Sequence, residues 1–212
     1  MGQYSNKGLY AGYDKNNKER DALDYYATPP WEVKNILSIL DIQDMEHSLI
    51  LDPCCGGGHL IEGVIKTFPN ATIIGTDVQE RENPFYKEHS SVRYYSGLEY
   101  DFLSEEYPYK EIDYIITNPP FKTIIPFTLH SLDIAKKGVI MLARLKFLES
   151  VARYEKIFKN QPPTEVYVYV DRIACYKNGD FSMNPNAIEA YAWFYWDKNN
   201  IGKTELKFIR KA

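Results

Sequence analysis

Four consecutive residues, Asn118-Pro119-Pro120-Phe121, have the chemistry to hold a planar amine. The asparagine side chain offers a carbonyl acceptor. Pro119 contributes a main-chain carbonyl and no donor, and Phe121 presents a flat apolar face. Two acceptors could take the amine's hydrogens while the ring stacks on whatever carries them. The preceding run, Tyr114-Ile115-Ile116-Thr117, is apolar and β-branched, as a buried strand requires. Two prolines then stop the ladder, and the residue before a proline is held extended. Asn118 is thus expected at the carboxyl end of a buried strand, where open α/β sheets bind ligands. A strand that merely ends in a proline turn would look the same in isolation, so the motif takes its weight from a glycine-rich stretch upstream.

That stretch is Asp52-Pro53-Cys54-Cys55-Gly56-Gly57-Gly58. It follows the apolar run Ser48-Leu49-Ile50-Leu51 and leads into residues 59–65, which have helical periodicity. Strand, glycine loop and helix form the first turn of a doubly wound sheet, and the glycines let the chain turn tightly against a ligand. The dinucleotide fingerprint is missing because Gly63 lies too far from Gly58, which speaks against a nicotinamide dehydrogenase. Asp52, the acid closing the strand, repels a pyrophosphate and suits a ligand with an ammonium group. Residues 71–77 repeat the pattern of a buried strand ending in an acid. Asp77 stands where such folds put a carboxylate for both ribose hydroxyls. Asp101-Phe102 follows a weaker strand and could meet the amine and ring of an adenine. Cys54 and Cys55 read as packing residues.

The elements that must position these groups are legible as periodicities. Thr28 is expected to cap a helix with Pro30 in its first turn and Glu32 near its N-terminus; Val33, Ile36, Leu37 and Leu40 recur at helical spacing. Further helices are predicted over 59–65, 123–137 and 148–158, the last with a basic face of Arg153, Lys156 and Lys159. Strands are predicted over 48–52, 71–77, 92–95, 111–117, 138–144, 164–170, 190–196 and 204–209. Residues 78–91 and 171–189 read as loops. Residues 1–24 lack periodicity and read as a flexible arm, and 25–212 as one domain with no internal repeat.

Composition bounds the classes. No apolar run approaches the roughly 20 residues that span a bilayer, and the N-terminus has no apolar signal region. Three cysteines, two of them adjacent, make a poor disulfide framework and fit a cytoplasmic protein with reduced thiols. His47, His59, His89 and His130 are scattered, so no metal is expected. A net charge of −4 argues against a large nucleic-acid footprint but leaves room for a local basic face.

The glycine motif from Asp52 to Gly58, followed by Asn118-Pro119-Pro120-Phe121, resembles class I S-adenosylmethionine-dependent methyltransferases, in particular the small adenine-specific amino-methyltransferases of DNA carried by phages. The resemblance covers roughly residues 26–196. It implies a Rossmann-like α/β fold: a mostly parallel central sheet, an antiparallel strand near the C-terminus, and helices on both faces. It implies S-adenosylmethionine along Thr28, Pro29, Asp52, Pro53, Cys54, Gly56, Gly58, Asp77, Val78, Asp101, Phe102 and Asn118. It gives Asn118, Pro119, Pro120 and Phe121 the catalytic role, on a base flipped out of its stack. The larger relatives carry a separate target-recognition domain, for which this chain has no obvious counterpart. Recognition then falls to the loops with Arg144, Lys146, Arg172 and Lys177, or to a partner subunit. The implied partner is nucleic acid, DNA ahead of RNA. Cytosine in DNA, guanine in ribosomal RNA and protein glutamine are the competing amines, and a catalytically silent cofactor-binding subunit is the competing role.

Overall fold

The structure is a computed structural model, and it describes residues 25–40, 42, 44–81, 88–182, 189–200 and 202–212. The arm expected over 1–24 lies outside the described residues. In chain order the strands are β1 (Tyr26–Ala27), β2 (Leu49–Asp52), β3 (Thr72–Asp77), β4 (Val92–Ser96), β5 (Ile112–Thr117), β6 (Ala135–Arg144), β7 (Glu165–Tyr169), β8 (Tyr176–Lys177), β9 (Tyr191–Asp197) and β10 (Glu205–Ile209). The helices are α1 (Pro30–Ile39), α2 (His59–Thr67), α3 (Ile124–Ile134) and the short α4 (Val151–Arg153), which continues as a π-turn over Tyr154–Phe158.

Eight strands make one sheet in the order β10-β7-β9-β6-β5-β2-β3-β4, parallel throughout except for β9. Adjacent residues of a strand point to opposite faces, and each central strand is apolar on both. Ile50, Ile116, Ile140 and Trp193 pack on one face with Val33 and Ile36 of α1 and Ile61 and Val64 of α2. Leu51, Ile115, Met141 and Phe194 pack on the other with Phe127 and Leu132 of α3 and Ile157. This is the doubly covered, mostly parallel sheet expected from the sequence, with its antiparallel strand near the C-terminus. Among the described residues no helix is long and apolar enough to cross a membrane.

Three local expectations need correction. The helix predicted over 123–137 ends at Ile134, and β6 starts at Ala135 with no intervening loop. The helix predicted over 148–158 is a 3-10 turn, one α-turn and a π-turn. The Arg153 guanidinium donates to the carbonyls of Phe147, Lys146 and Glu149, and so winds the chain around itself. Finally, the segment before α1 and the loop after β7 each contribute two residues to a small antiparallel sheet, β1 with β8.

Candidate active site

Strand β2 lies between β3 and β5, with Ile50 opposite Tyr114 and Leu51 opposite Ile115. The strand order reverses at this point, so the chain leaves the carboxyl ends of β2 and β5 in opposite directions and opens a crevice between them. Asp52 ends one strand, and Thr117 followed by Asn118 ends the other. Thr117 Oγ1 donates to Asp52 Oδ1 at 2.9 Å. Cys54 Sγ lies 3.1 Å from Thr117 Oγ1 and donates to the Asn118 carbonyl at 3.4 Å. The two motifs, more than 60 positions apart in sequence, therefore touch at one edge of the sheet.

The Asn118 amide nitrogen donates to the Tyr26 carbonyl and to Thr28 Oγ1, both at 3.2 Å, with Cys175 Sγ at 3.9 Å. Its donors are thus spent on protein acceptors, and the side-chain oxygen remains as the group that can accept. Thr28 accordingly does not cap α1. The helix starts behind Pro29, no side chain caps it, and the Thr28 hydroxyl is turned to Asn118 instead. Thr28, Pro29 and Pro119 are buried, and Pro120 is exposed. The half-buried Phe121 ring has the Arg144 guanidinium 4.3 Å over its centre and the Tyr191 ring 6.3 Å away. Arg144 and Lys146 both face Glu189, at 3.3 and 3.7 Å. Arg172 and Lys177 are exposed, and Lys177 pairs with Tyr26 across the small sheet.

The glycine turn is tied to β3. Cys55 N donates to the Thr76 carbonyl at 3.0 Å, and Gly56 N to Asp77 Oδ2 at 2.8 Å; Gln79 N donates to Asp77 Oδ1 at 3.0 Å. A carboxylate has about four acceptor positions, so both Asp77 oxygens keep capacity for a vicinal diol. Gly56 and Gly58 have φ of +51° and +80°, a left-handed backbone that favours glycine. Asp52 and Asp77 are 3% and 7% exposed. Desolvation raises both carboxyls, Asp52 to about 7. Burial also pushes the Cys54 thiol up, which favours its protonated form. Pro53 is buried behind it, and Val78 is half-buried beyond Asp77. Asp101 Oδ1 accepts from Leu103 N at 3.0 Å. The Phe102 ring is 1% exposed and packs against Tyr107, Phe127 and His130. It is a core side chain, next in sequence to the buried Asp101.

A further group was not found from sequence. The Tyr25 ring lies flat on the glycine turn: a Cβ on Gly56 would come within 2.5 Å of it. The ring stacks on His59 with centroids 6.3 Å apart and lies under the Arg81 guanidinium at 4.3 Å. Asn178 N donates to the Tyr25 carbonyl at 2.9 Å and extends the β1–β8 ladder. Asn178 and Gly179, both with positive φ, turn the chain over His59 and Tyr25. Phe181 packs on His59, Trp31 and Tyr176. Together these residues form an aromatic clasp over the turn. The Asn-Gly pair was the available signal, but it lacked the flanking alternation that marks a hairpin.

The residues fit S-adenosylmethionine in kind. Two buried acids flank a glycine turn whose backbone is covered by side chains alone, the rings of Tyr25 and His59, and an acceptor stands beside an aromatic ring. No family model matches the chain. Over 110 residues, 51% of this chain, it is 31% identical to the type II methyltransferase M.CvrRI of Paramecium bursaria Chlorella virus XZ-6E; the match spans 27% of that protein. Among solved structures, the type I restriction-modification methyltransferase subunit of Streptococcus thermophilus superposes with a TM-score of 0.63 at 14% identity, over 88% of this chain and 47% of that one. A Pyrococcus horikoshii protein assigned as an RNA methyltransferase does so at 0.60 and 18% identity, over 89% and 93%. The fold is that of the class I methyltransferases.

Proposed function

We propose that this chain is an S-adenosylmethionine-dependent methyltransferase that acts on the exocyclic amine of adenine in DNA. The observation that carries the reading is the fixed asparagine. The Asn118 amide group is held by Tyr26 and Thr28, so its oxygen is a pre-oriented acceptor beside Phe121 and next to the glycine turn. When bound, S-adenosylmethionine supplies an electrophilic methyl carbon.

The chain's own residues do the rest. An aromatic amine is a poor nucleophile because its lone pair is delocalised into the ring. The Asn118 side-chain oxygen and the Pro119 carbonyl accept its two N–H hydrogens, favour a more pyramidal nitrogen and localise that pair. Catalysis is then mainly positioning and electrostatics. Phe121 stacks on the base, which must leave a duplex to reach it. No side chain needs to bond covalently. The nitrogen's surplus proton departs to water once the new N–C bond has formed. In this reading Asp52 meets the cofactor's ammonium and Asp77 its ribose hydroxyls. Target recognition falls to the loops at this edge, which include Arg144 and Lys146.

The test is transfer of labelled methyl to unmethylated DNA, with RNA and a glutamine peptide as parallel substrates and the product base identified by chromatography. N6-methyladenine is the expected product. Asn118→Ala should lower kcat at least a hundredfold while leaving cofactor affinity within a few-fold. Methyl on cytosine, RNA or glutamine would overturn the substrate, and an unimpaired variant would overturn the role of Asn118.

A further inference from the structure

The ring of Phe121 also borders a groove of about 290 Å³ that runs from the end of β5 between the start of α3 and the turns after β6. Lys122 and Pro126 form one wall, and Arg153 and Lys156 the other. Three cations and no acid line it, in a chain whose net charge is −4. Lys122 and Lys156 are exposed and pair with no acid among the described residues. Arg153 is bound to three carbonyls, which orient its guanidinium but leave its positive charge uncancelled. The lysines of α2 and β6 differ: Lys66 pairs with Glu62, and Lys136 with Glu111.

We infer that this groove is the track for the phosphodiester backbone flanking the flipped nucleotide. The inference rests on the nucleic-acid reading above and adds a second contact surface to it. Two observations favour a nucleic-acid strand over another occupant. The groove is continuous with Phe121, so a base stacked there has its own backbone at the groove's mouth. The charge is of one sign and carried on flexible lysines, which suits phosphates approached without base readout. Ile124 and Ile125 complete an apolar lining with Pro126, so a sugar can lie against it.

The experiment compares the wild-type chain with Lys122→Ala/Lys156→Ala, Lys122→Arg/Lys156→Arg and the control Lys136→Ala, which lies at the other edge of the sheet. Binding to a fluorescein-labelled DNA duplex is titrated by anisotropy from 50 to 200 mM salt, beside methyl transfer to bulk unmethylated DNA and thermal melting. Each lost phosphate contact lowers the slope of log affinity against log salt by about 0.9. The double alanine variant is expected to lose about two from that slope and to raise KM for DNA about tenfold, with kcat, cofactor affinity and melting unchanged. The arginine pair should restore the slope, and Lys136→Ala should leave it alone. If wild type methylates DNA but the alanine variant keeps its slope and KM, the track is refuted and the substrate reading stands. If wild type transfers no methyl to DNA, the substrate reading fails and the track fails with it.

Discussion

An asparagine accepts from an amine in one orientation only if its own NH2 group is engaged elsewhere. Here Thr28 Oγ1 and the Tyr26 carbonyl supply that engagement, and Thr28 alone can be altered without touching the main chain. Thr28→Val keeps the shape and removes the acceptor. A net hydrogen bond contributes about 0.5–1.5 kcal/mol, up to a tenfold effect. The expected outcome is a kcat lowered three- to tenfold with cofactor affinity little changed, and recovery in Thr28→Ser. If cofactor affinity falls and kcat holds, Thr28 serves the cofactor instead. Phe121 is subject to a similar test. Stacking of a base on an aromatic side chain is worth about 1–3 kcal/mol by alanine substitution, so Phe121→Ala should lower kcat/KM roughly ten- to hundredfold, whereas Phe121→Trp should retain most of it. The Arg144 guanidinium covers that ring and pairs with Glu189. An incoming base must therefore share the ring or displace a cation, and equal activity of Phe121→Ala would show that it does neither.

At the scale of elements, the clasp formed by β1, β8 and the Asn178-Gly179 turn sits where a ligand of the glycine loop would enter. Tyr25 is the part in direct contact with Gly56 and Gly57. A methionine chain passing along that turn must move the ring off it, at the expense of its cation–π contact with Arg81 and its stack on His59, together about 1–2 kcal/mol. Tyr25→Ala should therefore tighten S-adenosylmethionine binding up to about tenfold and speed association, read by calorimetry and stopped flow; weaker binding would mean that the ring grips the cofactor. Beyond the Asn178-Gly179 pair, this clasp was not legible in the sequence. Strands of two residues carry no periodicity, and their pairing partner lies some 150 positions away. The large sheet was legible because its strands are β-branched runs closed by Asp52, Asp77 and Asn118, and those closing residues make up the proposed site. The overlong third helix has a local cause: Ala135-Lys136-Lys137 suits a helix by propensity, and only pairing of β6 with β5 and β9 makes it a strand. Phe102 illustrates the same limit, since a ring next to a promising acid gives no local sign of whether it faces a ligand or the core.

The whole molecule combines these charges into a single pH dependence. Asp52, Asp77 and Glu32 are buried, and desolvation is the leading cause that raises each of them. Asp52 moves furthest, from 3.8 to about 7. A carboxyl that holds its proton more tightly when folded favours folding fully below about pH 4, and that contribution is lost as pH rises toward 7. For Asp52 the loss is on the order of 4 kcal/mol. Opposing it, Asp44 is lowered chiefly by its bond with Lys137, and contributes stability that disappears as pH falls through the carboxylate range. His59 and His130 are lowered by burial, and stability they support is lost as pH falls below about 6.5. The effect of the buried carboxyls is the largest, so the melting temperature should fall from pH 5.5 to 7.5, and Asp52→Asn should flatten the decline. The same buried acid links stability to ligand. An ammonium placed against Asp52 favours its carboxylate, so S-adenosylmethionine should bind more tightly as pH rises from 6 to 7.5 and release a proton on binding. Calorimetry in two buffers of different ionisation enthalpy reads that proton directly. Wild type should release a substantial fraction of one, and Asp52→Asn should release less. Equal release from both would separate Asp52 from the cofactor and leave its burial as a structural cost balanced by the bonds from Thr117 Oγ1 and Cys54 N.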